Sequence, residues 1–61
     1  MTWGEVIRKL KAGKYVVQRQ GKGSHQLMVH PDTKHAVWVC VHVKHDAGPL
    51  GNQILKKAGL L

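Results

Sequence analysis

Residues 21–31 read GKGSHQLMVHP, and the rest of the predicted fold is arranged around this stretch. Glycines on both sides of Lys22 permit a tight turn, because glycine reaches positive φ angles without steric cost. The next residues, Ser24 to His30, have the composition and alternation of a β-strand. One face would carry His25, Leu27 and Val29, and the other Gln26, Met28 and His30. The stretch therefore predicts a hairpin turn followed by a strand. The two faces of this strand are too alike in polarity to show which one is buried.

Two neighbouring segments have the composition of strands that would pair with this one. Tyr15 to Gln20 is rich in β-forming residues and leads into the glycine turn. Pro31 to Lys34 is typical of a turn, because proline fixes φ and aspartate bonds the backbone ahead of it. A third strand is then predicted from His35 or Ala36 to Val41, with Val37, Val39 and Val41 on one face and Trp38 and Cys40 on the other. The pattern predicts a three-stranded antiparallel sheet.

Amphipathic helices flank the three strands. Thr2 and Glu5 have the spacing of a capping box, and the apolar residues that follow recur at helical spacing: Trp3, Val6, Ile7 and Leu10. Gly13 is predicted to end this helix with a positive φ. A second helix is predicted from Pro49 to Ala58, with Gly48 as its N-cap and a buried side made of Leu50, Ile54, Leu55 and Ala58. Gly51 inside it would cost up to about 1 kcal/mol relative to alanine.

Length and charge limit what the chain can be. Sixty-one residues predict a single domain, residues 1–61, of α+β class. The expected architecture is an α-β-β-β-α two-layer sandwich with both helices on one face of the sheet. A chain of this size buries only about 60% of the surface exposed on unfolding, so we expect a stability of no more than about 3–5 kcal/mol. A formal net charge of +7 favours a polyanionic partner, either nucleic acid or an acidic protein.

Cysteine content and hydropathy point to the cytoplasm. Cys40 is the only cysteine, which excludes an internal disulfide and a cysteine metal cluster. No apolar stretch approaches the roughly 18 residues needed to span a bilayer. A helix start stands where a secretion signal would have its apolar segment. We therefore expect a cytoplasmic protein that does not bind membranes.

Three motifs in this order resemble the HicA family of mRNA interferase toxins. They are Gly23-Ser24-His25 at the start of the second strand, His30-Pro31 at its end, and the sequence ILKKAGL at residues 54–60. The family fold is similar to the double-stranded-RNA-binding domain. The resemblance implies the toxin of a type II toxin–antitoxin system, an endoribonuclease that cleaves messenger RNA without metal or other cofactor. It also implies that His25 is the catalytic residue and that a HicB antitoxin neutralises the toxin.

The chemistry of RNA fits one histidine in such a site. RNA carries its own nucleophile, the ribose 2′-hydroxyl, so cleavage needs a base, an acid for the leaving 5′-oxygen, and positive charge at the phosphate. An imidazole with an ordinary pKa of about 6.5 exchanges protons near neutral pH. One such group contributes about 10²- to 10⁴-fold, so we expect a slow enzyme with His25 as general acid or base. The residues expected to contact RNA are Lys14, Arg19, Lys22, Gly23, Ser24 and Lys44.

Other interpretations of the same residues remain open. The fold could serve a non-catalytic RNA-binding or protein-docking module.

His42 and His45 have a spacing that could suggest a metal site, but the intervening Lys44 repels cations and no cysteine or second acid completes a zinc set. Trp3 and Trp38 are predicted to lie in the core, since stacking on RNA bases would require exposed rings.

Overall fold

The computed structural model describes residues 1–61, which form two helices and three strands. Their bounds are α1 Trp3–Ala12, β1 Val16–Gln20, β2 His25–Val29, β3 Ala36–Cys40 and α2 Gly48–Lys57. The strands form one antiparallel sheet in the order β1-β2-β3. The predicted α+β class and element order are therefore confirmed. Each helix falls short of the length and apolar character that crossing a membrane requires.

The register of the central strand, β2, determines which face of the sheet is buried. Met28 pairs with Val37, and Val39, two residues further along β3, pairs with Gln26 on the same face. Met28 and Val39 are fully buried and Val37 nearly so, because this face packs against the helices in one core cluster. The opposite face, which carries His25, is left open.

Trp38 lies on this open face, and the prediction that it packs in the core is wrong. It is 44% exposed, because side chains alternate along β3 and its neighbours Val37 and Val39 take the inner positions. Trp3, in contrast, is partly buried against the core, as predicted.

The capping box of α1 forms as predicted. The Thr2 hydroxyl accepts from the N–H of Glu5 at 3.3 Å, and the Glu5 carboxylate accepts from the N–H of Thr2 at 3.3 Å. The hydrogen bond from the Thr2 backbone, the largest influence, lowers the pKa of Glu5. Val6 and Leu10 of this helix are fully buried.

Gly13 ends α1 as predicted, as its C-cap residue, but the predicted backbone conformation is wrong. Gly13 has a φ of −85°, and the positive φ of 77° belongs to Lys14. A Cβ at residue 13 would lie 2.5 Å from a methyl carbon of Leu60, so the C-terminal segment packs closely against this glycine. Lys14, and not Gly13, supplies the left-handed conformation after the helix.

The second helix also departs from its predicted boundaries and buried side. It begins one residue earlier, at Gly48, with Ala47 at the N-cap position. Leu50, predicted to be buried, is 50% exposed, and Gly51 is buried in its place. A Cβ on Gly51 would lie 3.0 Å from Val6, so this glycine allows α1 and α2 to approach closely. The inward stripe consequently runs through residues 51, 54, 55 and 58, which leaves residue 50 on the outside.

Candidate functional site

In the turn between β1 and β2, both the N–H and the carbonyl of His25 form backbone hydrogen bonds. The N–H of Gly21 donates to the carbonyl of His25 at 2.8 Å, and the N–H of His25 donates to the carbonyl of Lys22 at 3.2 Å. Gly23 has a φ of 60°, a conformation that favours glycine. The turn thus presents the His25 side chain on the open face of the sheet.

The His25 ring is exposed and oriented by the same turn. Its Nδ1 lies 3.3 Å from the carbonyl oxygen of Lys22. A carbonyl oxygen can only accept, so this hydrogen bond places the proton of the neutral ring on Nδ1. Nε2 of His25 then carries the lone pair that can accept a proton.

An open cavity of about 280 Å³ lies beside the ring, lined by Lys22, His25 and Trp38. The guanidinium carbon of Arg19 lies 5.6 Å from the centre of the Trp38 ring. The far edge of that ring reaches the turn, where a Cβ on Gly21 would overlap it. The cavity therefore combines an imidazole, an aromatic ring and one cation, and a second cation, Arg19, lies against the aromatic ring.

Ser24 connects the turn to the segment that follows β3. Its carbonyl accepts from the N–H of Val41 at 2.8 Å, and its hydroxyl shares a hydrogen bond of 2.6 Å with Nε2 of His42. The His42 ring stacks on that of His45, with centroids 5.0 Å apart. A second imidazole is thus bonded to the residue next to His25.

The sequence pattern assigns no functional role to His42, since it disfavours the metal site that its spacing from His45 could suggest. Its position next to the motif follows from the antiparallel register, because His25 pairs with Cys40 and the residues beyond each must approach one another. No local sequence pattern reveals this contact, because it depends on the register between two strands. No group of three or more His, Cys, Asp or Glu side chains comes together in the structure.

The basic residues predicted to bind RNA are divided between the two ends of the sheet. Lys22 lines the cavity beside His25, and Arg19 lies against the Trp38 ring that lines the same cavity. Lys44 lines a second open cavity, of about 360 Å³, in the segment that Ser24 contacts through His42. Lys14 precedes β1 and lies at the opposite end of the sheet, roughly 17 Å away by the length of a five-residue strand.

The histidines at that opposite end make structural contacts. Nδ1 of His30 accepts from the N–H groups of Asp32 and Thr33, at 3.2 and 3.3 Å. The hydroxyl of Tyr15 bonds Nδ1 of His35 at 2.7 Å, and burial raises the pKa of Tyr15. His30 therefore stabilises the turn that follows β2, and His35 contacts the edge of the core through Tyr15.

Comparison with known proteins gives a match to one family over nearly the whole chain. The family model for the HicA toxin of bacterial toxin–antitoxin systems matches residues 3–60. No curated protein and no solved structure matches significantly. The matched range contains both helices, the sheet and the turn that carries His25. This protein therefore belongs to the HicA toxin family of bacterial toxin–antitoxin systems.

Proposed function

We propose that this toxin is a metal-independent endoribonuclease that cleaves messenger RNA in the cytoplasm and is neutralised by a HicB-type antitoxin. Membership of the family supports the toxin role and implies an antitoxin partner. The observation that carries the enzymatic part is the His25 ring. It is exposed, bonded through Nδ1 to a backbone carbonyl, and next to an open cavity that Lys22 also lines. These are the properties of a proton-transferring group beside a phosphate site.

In the proposed reaction the ribose 2′-hydroxyl attacks the adjacent phosphorus while Nε2 of His25 accepts its proton. The bond from phosphorus to the 5′-oxygen breaks, this oxygen takes up a proton from water, and His25 later returns its proton to the solvent. The products are a 2′,3′-cyclic phosphate and a 5′-hydroxyl. Lys22 and Arg19 stabilise the negative charge that develops on the phosphate oxygens. The bond from Nδ1 to the Lys22 carbonyl keeps Nε2 directed outward during the reaction.

Incubation of the pure protein with RNA in the presence of a chelator tests this reaction. We expect cleavage of RNA with 2′,3′-cyclic phosphate ends, and no cleavage of 2′-O-methyl RNA or of DNA of the same sequence. Loss of activity on chelation, or cleavage of DNA, would contradict the proposed chemistry. Binding of RNA without cleavage would instead favour the non-catalytic module.

His42 is expected to act as a positioning residue, because its contact is with Ser24 and not with the cavity beside His25. We expect His42→Ala to slow cleavage roughly 2- to 10-fold, the effect of one hydrogen bond. Ser24→Ala should have the same effect, and the double variant should be no slower than either. The pH dependence of cleavage should match that of the wild type. A loss of 100-fold or more with an altered pH profile would make His42 a proton donor instead.

RNA binding is expected to weaken steeply with salt. Each phosphate contact to single-stranded RNA contributes a log–log slope of about −0.7, so Arg19, Lys22 and Lys44 together predict a slope of about −2. Affinity for a 2′-O-methyl oligonucleotide, measured over a salt series, gives this slope. Lys22→Gln should reduce it by about 0.7, whereas Lys57→Gln in the last turn of α2 should leave it unchanged. An affinity independent of salt would exclude RNA as the ligand.

A further inference from the structure

Trp38 is the aromatic residue that the proposed reaction leaves without a role. Its side chain is 44% exposed on the open face of the sheet, and neither helix covers it. The ring lines the same cavity as His25 and Lys22. An exposed tryptophan beside a candidate reactive group indicates a binding surface.

The position of the ring is well defined. Trp38 pairs with Leu27 across β2 and β3, and Leu27 pairs with Arg19 across β1 and β2, so the three form one row over the open face. The far edge of the ring reaches Gly21 in the turn, and the Arg19 guanidinium lies within cation–π range of the ring. A ring held in this way loses little conformational entropy when a flat partner stacks on it.

The chemistry of the cavity favours a nucleobase as that partner. Every base has a flat π-face that stacks on aromatic side chains, and cations alongside bind the flanking phosphates. A volume of about 280 Å³ is close to the lower end, roughly 300 Å³, of small-molecule pockets, which suits one base. Single strands offer unstacked bases, whereas a duplex hides them.

We propose that Trp38 stacks on a nucleobase of single-stranded RNA and thereby positions the adjacent phosphate at His25. The inference rests on the proposed ribonuclease function and adds the class of substrate, unpaired RNA, together with a subsite for one base. Arg19 has two tasks in this arrangement, since it supports the ring and neutralises a phosphate.

Fluorescence tests the stacking independently of cleavage, because the chain has two tryptophans and each can be observed alone. The Trp3→Phe variant leaves Trp38 as the only tryptophan, and the Trp38→Phe variant leaves Trp3. Titration with a 2′-O-methyl RNA oligonucleotide should quench the first variant and leave the second unchanged, since Trp3 is packed against the core.

Affinity measurements give the size of the effect. Trp38→Ala should weaken oligonucleotide binding about 5- to 150-fold, the range found when an aromatic ring under one base is removed. Cleavage should show a raised KM and, because the phosphate is no longer positioned, a lowered kcat. Trp38→Phe should retain most of the affinity. Val16→Ala is the control, because Val16 is 50% exposed on the same face at the other end of the sheet. Circular dichroism of each variant checks that the fold is kept.

The outcomes separate this subsite from the ribonuclease proposal. Quenching of Trp38 in a protein that cleaves no RNA would support the subsite and reject the nuclease. Cleavage by the wild type with unquenched Trp38, or with unchanged affinity in Trp38→Ala, would overturn the subsite alone. In that case we would expect a protein partner to contact the exposed Trp38 ring.

Discussion

Replacement of His25 by alanine is expected to reduce the rate of RNA cleavage about 10²- to 10⁴-fold, the contribution of one general acid or base. RNA affinity should change little, because the cations at the site remain. Single-turnover cleavage by the pure protein gives the rate, and a 2′-O-methyl oligonucleotide gives the affinity. Expression in cells should show the same difference, with growth arrest and transcript loss caused by the wild type only.

The matched control for this experiment lies on the same segment. His30 follows β2 at its other end, where its Nδ1 accepts from the backbone of Asp32 and Thr33. His30→Asn keeps an acceptor for these groups, so cleavage at close to the wild-type rate is expected. Equal losses in the two variants would indicate damage to the fold, and full activity of His25→Ala would remove this residue from the mechanism.

Replacement of Leu10 by alanine is expected to unfold much of the protein. Leu10 is fully buried in α1, and truncating such a leucine costs roughly 2–5 kcal/mol. A domain of this size has a total stability of only about 3–5 kcal/mol, so little margin would remain. Urea unfolding followed by circular dichroism measures the difference in the free energy of unfolding.

Leu50→Ala is the control. It also tests whether the side chain of residue 50 is buried, as the sequence pattern predicts, or exposed, as in the structure. The pattern predicts that Leu50 is buried, whereas its side chain is 50% exposed in the structure. We therefore expect Leu50→Ala to change stability by no more than about 0.5 kcal/mol. A loss as large as that of Leu10→Ala would mean that α2 is rotated about its axis relative to the structure, so that residue 50 faces the core.

Local patterns in the sequence predicted the elements of this fold because the signals act within a few residues. The capping box of Thr2 and Glu5 and the spacing of Val6 and Leu10 are properties of one helix. The alternation around His25 is likewise a property of one strand. The same local information, through the Gly23-Ser24-His25 motif, indicated the family that the comparison confirmed.

Features that depend on contacts between distant segments were not determined by these patterns. Met28 is buried and Trp38 is exposed, although both side chains are apolar. The sheet register decides this, because it places Met28 on the face that the helices cover and Trp38 on the other. The approach of α1 and α2 placed Gly51 inside and Leu50 outside. In both cases the choice depends on which surface another segment covers.

The candidate site likewise combines features that local sequence determines with features that depend on tertiary contacts. The sequence by itself determined the turn that carries His25 and the cations next to it in the chain. Only the tertiary structure brought Trp38 beside that ring, bonded His42 to Ser24, and placed Lys14 at the far end of the sheet. The physical reason is that strand pairing joins residues that lie 7 to 15 positions apart in β2 and β3, and it brings Ser24 and His42 together across 18 positions. No periodicity within one element carries a signal for such contacts.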